Sequence, residues 1–145
     1  MNRQRVLFVC IHNSARSQMA EAFLNQLCPG QMDALSAGLE PTPVNPLVVE
    51  VMQEIGIDLS QKQPQDIWTL AKRSELFAFV ISVCDEAAER CPIFPGITKR
   101  RAWSFADPST FQGTHEEKLA KTREVRDLIR REVELFCKAE CATNA

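Results

Sequence analysis

Cys10, Arg16 and Ser17 stand together in the segment Cys10-Ile11-His12-Asn13-Ser14-Ala15-Arg16-Ser17, and their types and order suit chemistry on an oxyanion. The apolar run VLFVC stops at the cysteine, and the arginine and serine open a helical pattern. Successive backbone N–H groups in a tight loop, joined to a helix N-terminus, form a cradle for a tetrahedral anion. Arg16 can fork two charge-assisted hydrogen bonds to the anion's oxygens. The same positive field lowers the pKa of Cys10 and favours its thiolate, the nucleophilic form. Ser17 is placed to donate a hydrogen bond to that sulfur and hold it ionised.

Two further thiols, Cys84 and Cys91, enclose DEAAER in a C-x6-C spacing. If the residues between them are helical, the ends of the segment lie about 10 Å apart. A disulfide needs Cα atoms within about 7 Å, so closing one here would unwind or bend the segment. The pair reads as a redox switch; the alternative is two ordinary buried cysteines. Zinc is disfavoured, because the spacing is too long for a typical ligand pair and only His12 and His115 could add nitrogen donors. Asp107-Pro108 offers a carboxyl group fixed by a proline, either a general acid for a leaving oxygen or simply a turn. Asn13, Glu21, Ser36 and Asp66 are polar residues in or beside the loops expected near Cys10. Asn13 is suited to holding the anion loop in shape, while the other three read as solvated or capping groups. Cys28 reads as structural or incidental at a helix end. Cys137 and Cys141, four apart on one helical face, read as bystanders near the C-terminus.

Positioning the reactive residues requires strands that end at one rim. Residues 5–10 read as a short buried strand. Beyond Ser17, Met19, Ala20, Phe23, Leu24 and Leu27 share a helical face, closed by Pro29-Gly30. Residues 32–37 read as a second strand, followed by a rigid loop with Pro41, Pro43 and Pro46, then a helix over 46–56. A helical turn is expected at 66–70, a third strand at 76–84, a short helix in DEAAER and a fourth strand at 98–105. The last helix spans 116–137, with Leu119, Val125, Leu128, Ile129, Val133 and Phe136 at helical spacing. The alternation predicts one α/β domain over residues 1–145, with a parallel sheet and right-handed crossovers. Ligands in such folds sit beyond the carboxyl ends of the strands. Cys10 and Cys84, both at strand ends, are therefore expected on one rim although 74 positions apart.

With 145 residues, 45% of them apolar and 25% charged, the chain has the composition of an ordinary globular protein. A net charge of −2 gives no electrostatic case for nucleic acid or an anionic membrane. The start MNRQR is basic, but the apolar run after it is too short for a signal-peptide core. No segment approaches the roughly 20 apolar residues of a membrane span. The expected compartment is the cytoplasm, where thiols are kept reduced. The six cysteines are then expected to serve catalysis, redox chemistry or metal binding instead of a disulfide scaffold.

With Cys10, Arg16, Cys84, Cys91 and Asp107 assembled, the chain resembles the arsenate reductases built on the low-molecular-weight protein tyrosine phosphatase fold. The segments carrying the resemblance are VCIHNSARSQMAEAF, LSAGLEPTPVNP, VISVCDEAAERCP and WSFADP, and it covers nearly the whole chain. It implies a three-layer α/β/α sandwich around a four-stranded parallel sheet. It implies that Ile11, His12, Asn13, Ser14, Ala15, Arg16 and Ser17 bind arsenate while Cys10 attacks it. Ser17 would stabilise the Cys10 thiolate and Asp107 would protonate the leaving oxygen. Cys84 would then attack the sulfur of the adduct and release arsenite. Cys91 would carry the oxidation to a Cys84–Cys91 disulfide, reduced by thioredoxin or, in related enzymes, by glutaredoxin or a small thiol. The resemblance implies no bound flavin or nicotinamide, and a monomer is expected. A potassium site of some members corresponds to Asn13, Glu21, Ser36 and Asp66. His12 and Ala15 depart from the glycine and cysteine that some reductases carry at those places. No tyrosine occurs anywhere in the chain, which argues against a phosphotyrosine specialist. Two alternatives stay open: a phosphatase acting through a Cys10 phosphocysteine, and a non-enzymatic thiol redox or oxyanion sensor.

Overall fold

Four strands, β1 (Gln4–Cys10), β2 (Met32–Gly38), β3 (Phe79–Ser82) and β4 (Lys99–Ala102), form one sheet in the order β2-β1-β3-β4. All three pairings are parallel. The computed structural model describes residues 3–141. Five helices complete the fold: α1 (Arg16–Leu27), α2 (Pro46–Gln53), α3 (Ile67–Lys72), α4 (Asp85–Arg90) and α5 (His115–Cys141). A single 3-10 turn, Pro108–Thr110, precedes α5. The central strand is apolar because both its faces are covered, and Val6, Leu7, Phe8 and Val9 are fully buried.

The strand order dictates where a site can form. From β1 the chain steps outward to β2, then crosses back over β1 to β3 and continues to β4. Helix α1 packs on β1 and β2 and on α5, α2 also packs on α5, and α4 packs on β1 and β3. The direction of winding reverses between β1 and β3, and a crevice opens beyond their carboxyl ends. Cys10 ends β1, and Cys84 follows β3 by two residues.

Local sequence accounts for most element boundaries. Asn45 caps α2 by accepting the Leu47 N–H at 2.9 Å, with Pro46 in the first turn, where its missing N–H costs nothing. Asp66 caps α3 through the Trp68 N–H at 2.9 Å. The third strand is shorter than the 76–84 expected: Leu76 lies 60% exposed before the ladder, while Val83 and Cys84 leave it and turn toward the anion loop. The fourth strand is limited to residues 99–102 by the length of its only partner. Helix α2 stops at Gln53, because the chain turns through Gly56 with φ of +82°.

The reading of Cys137 as a bystander is corrected, and the structural reading of Cys28 is met. Cys28 and Cys137 are joined in a disulfide, with Cα atoms 6.3 Å apart, and Cys141 brings its Sγ to 3.1 Å from that of Cys28. Helices in a parallel α/β fold run opposite to the strands, so α1 and α5, which pack on each other, bring their C-terminal ends to the same side. Sequence spacing alone cannot reveal that meeting.

Gly38, at the end of β2, is paired with Cys10 and lies against the loop that follows it. A Cβ there would sit 2.8 Å from the backbone of Ile11, His12 and Asn13. Gly38→Ala is therefore expected to displace the anion loop and to destabilise the fold by about 1–3 kcal/mol. A urea denaturation midpoint checks the stability, and loss of oxyanion binding checks the loop.

Candidate active site

The loop between β1 and α1 is held in shape by its carbonyls. The carbonyl oxygens of Cys10, Ile11, His12 and Ser14 accept the N–H groups of Leu39, Glu40, Thr42 and Asn45 at 2.7–3.2 Å. Pro41 and Pro43 have no N–H to give, so the donors come from the residues between and beside them. With its carbonyls committed to this outer segment, the loop turns amides toward the Cys10 sulfur, and those of Ile11 and His12 reach it.

Asn13 adopts a left-handed conformation, with φ of +53°, and is fully buried. Its Nδ2 donates to Ser17 Oγ at 2.8 Å, and its Oδ1 accepts from Gln18 Nε2 at 3.1 Å and from the Gln65 N–H at 2.8 Å. Gln18 Nε2 also reaches the Asn13 carbonyl at 3.0 Å. Gln18 and Gln65 thus support the loop, a role the sequence reading missed. The available signal was a polar Gln18 on a helical stretch otherwise buried, Ser17 to Glu21.

The Cys10 thiol is almost wholly buried, yet its pKa is lowered to about 6. The largest cause is a hydrogen bond from the Cys84 thiol, followed among the favourable terms by the charge of Arg16 and the two loop amides; burial opposes them. The same contact raises Cys84 well above the usual thiol range, since that proton is held between the two sulfurs and burial adds to the effect. The structure therefore brings Cys10 and Cys84 together. Cys84 contributes most to holding the Cys10 thiolate, and the buried Ser17 hydroxyl accepts from Asn13.

Arg16 opens α1, with its side chain 9% exposed. Nη1 donates to the Phe105 carbonyl at 3.2 Å, Nη2 lies 3.4 Å from Asp107 Oδ2, and the buried Nε has no protein partner. Asp107 also makes the turn that was its bland reading, with Oδ1 accepting the Ser109 N–H at 2.9 Å. The turn does not remove the carboxyl group from the loop, since Oδ2 faces Arg16. His12 Nδ1 lies 3.0 Å from the Glu40 carbonyl and carries its proton there, because a carbonyl can only accept. Ser14 and Ala15 complete the loop, and Ala15 is buried.

Cys84 precedes α4 and Cys91 follows it. Cys91 is half-buried, and burial pushes its thiol up while the nearby Arg100 charge pulls it down. Only Ala87 of α4 is buried, so the helix lies on the surface between the two thiols. Arg90, in its last turn, pairs with Glu86 at 2.8 Å and with Glu40 at 3.2 Å.

Each of the four residues matched to a potassium site makes a hydrogen bond within the protein. Glu21 accepts from Ser36 Oγ at 2.8 Å and pairs with the ammonium of Lys62; Asp66 caps α3, and Asn13 holds the loop. With Lys62 on the buried Glu21, this set does not fit a potassium ion. Lys62 was not singled out in the sequence.

The thiolate chemistry gives a direct check. Cys10 alkylation should fall below a midpoint near pH 6, by about tenfold per pH unit once the thiol is protonated. In Cys84→Ala the midpoint should move up, because the largest lowering contact is gone. Iodoacetamide rates followed by mass spectrometry measure both.

Comparison with known proteins agrees with this geometry. Residues 5–143 match the family described as low molecular weight phosphotyrosine protein phosphatase. An arsenate reductase of Halalkalibacterium halodurans is 40% identical over 137 residues, which is 94% of this chain and 96% of the relative. A solved arsenate reductase in an oxidised state superimposes with a TM-score of 0.76 at 31% identity, over 90% of this chain and 94% of its own. A thioredoxin-dependent arsenate reductase from Corynebacterium glutamicum matches with a TM-score of 0.62 at 25% identity, over 92% of this chain and 63% of its own. The chain belongs to the low molecular weight phosphotyrosine protein phosphatase family and, within it, to the arsenate reductases.

Proposed function

We propose that the protein reduces arsenate to arsenite through Cys10, Cys84 and Cys91, with electrons from an external dithiol. The observation that carries this reading is the Cys84 thiol hydrogen-bonded to the Cys10 sulfur inside an oxyanion loop. Hydrolysis of a phosphate ester through a Cys10 phosphocysteine would need Cys10, Arg16 and Asp107 but not a second sulfur at that place, so reduction is favoured over phosphatase action. The stoichiometric sensor is disfavoured because the nucleophile, the arginine and the acid stand together.

The reaction follows from the charges. Arsenate binds to the loop amides and to Arg16, whose buried Nε gains the acceptor it lacks in the protein alone. The Cys10 thiolate attacks arsenic, an S–As bond forms, and an oxygen leaves as water after taking a proton from Asp107. The negative charge that held the Cys84 proton has now moved from sulfur to oxygens clamped by Arg16. The two causes that raise Cys84 most directly, the hydrogen bond and the charge of Cys10, are removed. Cys84 ionises and attacks the Cys10 sulfur. The S–As bond breaks, its electron pair stays with arsenic, and arsenite leaves a Cys10–Cys84 disulfide. Cys91 attacks Cys84, freeing the Cys10 thiolate and forming Cys84–Cys91. A dithiol donor of the thioredoxin type then reduces that bond; the thioredoxin-dependent relative supports this choice over glutaredoxin or a small thiol.

The localisation proposed is the cytoplasm, consistent with no helix among the described residues being long and apolar enough to cross a membrane. The partners are arsenate and the thiol donor, acting on a monomer.

Cys84→Ser should consume arsenate no more than once per chain, and Cys91→Ser should stop at Cys10–Cys84. Arsenite release with thioredoxin and its reductase, followed over many equivalents, tests both; full multiple turnover by both variants would sink the relay. Rates in potassium and sodium salts of equal ionic strength should coincide, because the Lys62 ammonium already neutralises Glu21. A potassium-specific increase in rate would contradict that.

A further inference from the structure

Cys28, Cys137 and Cys141 form a second sulfur cluster, remote from the first. Helix α1 has 12 residues and connects the two, so the cluster lies roughly 18 Å from the anion loop along that helix. The three sulfurs all fall within 4.8 Å of one another. Sulfurs sharing one central atom at a thiolate bond length of about 2.3 Å must lie no more than about 4.6 Å apart, so small rotations bring this set into range. A cleft of about 420 Å³, bordered by Leu27, Pro29, Gln31 and Lys138, opens the cluster to solvent.

The electrostatics disfavour an uncompensated set of thiolates. Cys28 is the residue that ends α1, and Cys141 ends α5. Both helices turn their carbonyl ends, the negative poles of their dipoles, toward the cluster. Free thiolates are disfavoured there, and burial together with Glu140 pushes the Cys141 thiol up. A thiophilic centre that replaces the three thiol protons and leaves no net charge suits sulfurs that the helix ends disfavour as free thiolates.

We infer that Cys28, Cys137 and Cys141, once reduced, form a three-sulfur binding site for trivalent arsenic, the product of the reaction proposed above. The inference rests on that reading for the source of the ligand but not for the site itself. Among the described residues the group of candidate ligands contains three, so zinc would have to complete its tetrahedron with water. Trivalent arsenic is satisfied by three sulfurs, its lone pair occupying the remaining direction. Binding exchanges groups without redox change: arsenous acid and three thiols give one arsenic tris-thiolate and three waters. The Cys28–Cys137 disulfide must first accept two electrons from a dithiol, which becomes a disulfide, before the site can form.

The test uses the full chain carrying Cys10→Ser, Cys84→Ser and Cys91→Ser, reduced with a phosphine until titration counts the three remaining thiols. Arsenite is added, and X-ray absorption at the arsenic edge counts the ligands. One arsenic per chain with three arsenic–sulfur bonds is expected. Cys28→Ser or Cys141→Ser in this background should lower the affinity by roughly 100-fold or more, the upper end of what even outer partners of metal ligands contribute. Circular dichroism checks that each variant is folded. No binding by the fully reduced protein, fewer than three sulfurs on arsenic, undiminished affinity in folded Cys141→Ser, or tighter binding of zinc than of arsenite would each overturn the assignment. Arsenate turnover by the unaltered chain is measured separately: its absence would refute the proposed reduction while leaving the arsenite titration to decide this site.

Discussion

The rim chemistry depends on the carbonyls of the Cys10 loop facing away from its sulfur. Four of them are taken up by amides of residues 39–45. Backbone groups in a buried turn must all find partners, so this outer ladder determines which way the remaining amides point. The proline-rich segment is well suited to be the other rail, since its stiffness fixes where its few N–H groups lie. Gly38 completes the constraint by having no side chain where the two rails and β2 converge. Without this arrangement the Arg16 charge would have no fixed anion to meet.

Placing a thiolate and a thiol in contact couples their titrations. Cys10 is low because Cys84 is high, and one proton serves both. The arrangement needs the winding reversal between β1 and β3, which brings two strand ends from distant parts of the chain to one crevice. The fold supplies proximity, and the coupling decides which sulfur is ionised at each stage.

The main outline was legible because it rests on local signals. The strand-to-helix run around Cys10 and the apolar stretch before Cys84 each announced a strand end, and parallel-sheet rules put both on one rim. Asp107 was legible as a residue, though not its ion pair with an arginine 91 positions earlier. What stayed hidden depends on contacts between distant segments. Gln65 meets Asn13 across 52 positions, Lys62 meets Glu21, and Cys28 meets Cys137 across 109. The large contribution of Cys84 to the Cys10 thiolate was likewise hidden, because it depends on two strand ends meeting.

Helix α4 has six residues, buries only Ala87, and its N-cap residue makes no side-chain hydrogen bond to it. A helix this short is marginal by itself, and it contributes little to the core. Its opening is therefore a local event of low free energy, separable from global unfolding. Amide hydrogen exchange should accordingly divide the molecule into a slow sheet and a fast α4. The protein can then change the covalent partner of Cys84 many times without disturbing the β1 loop, much as a latch moves on a fixed frame.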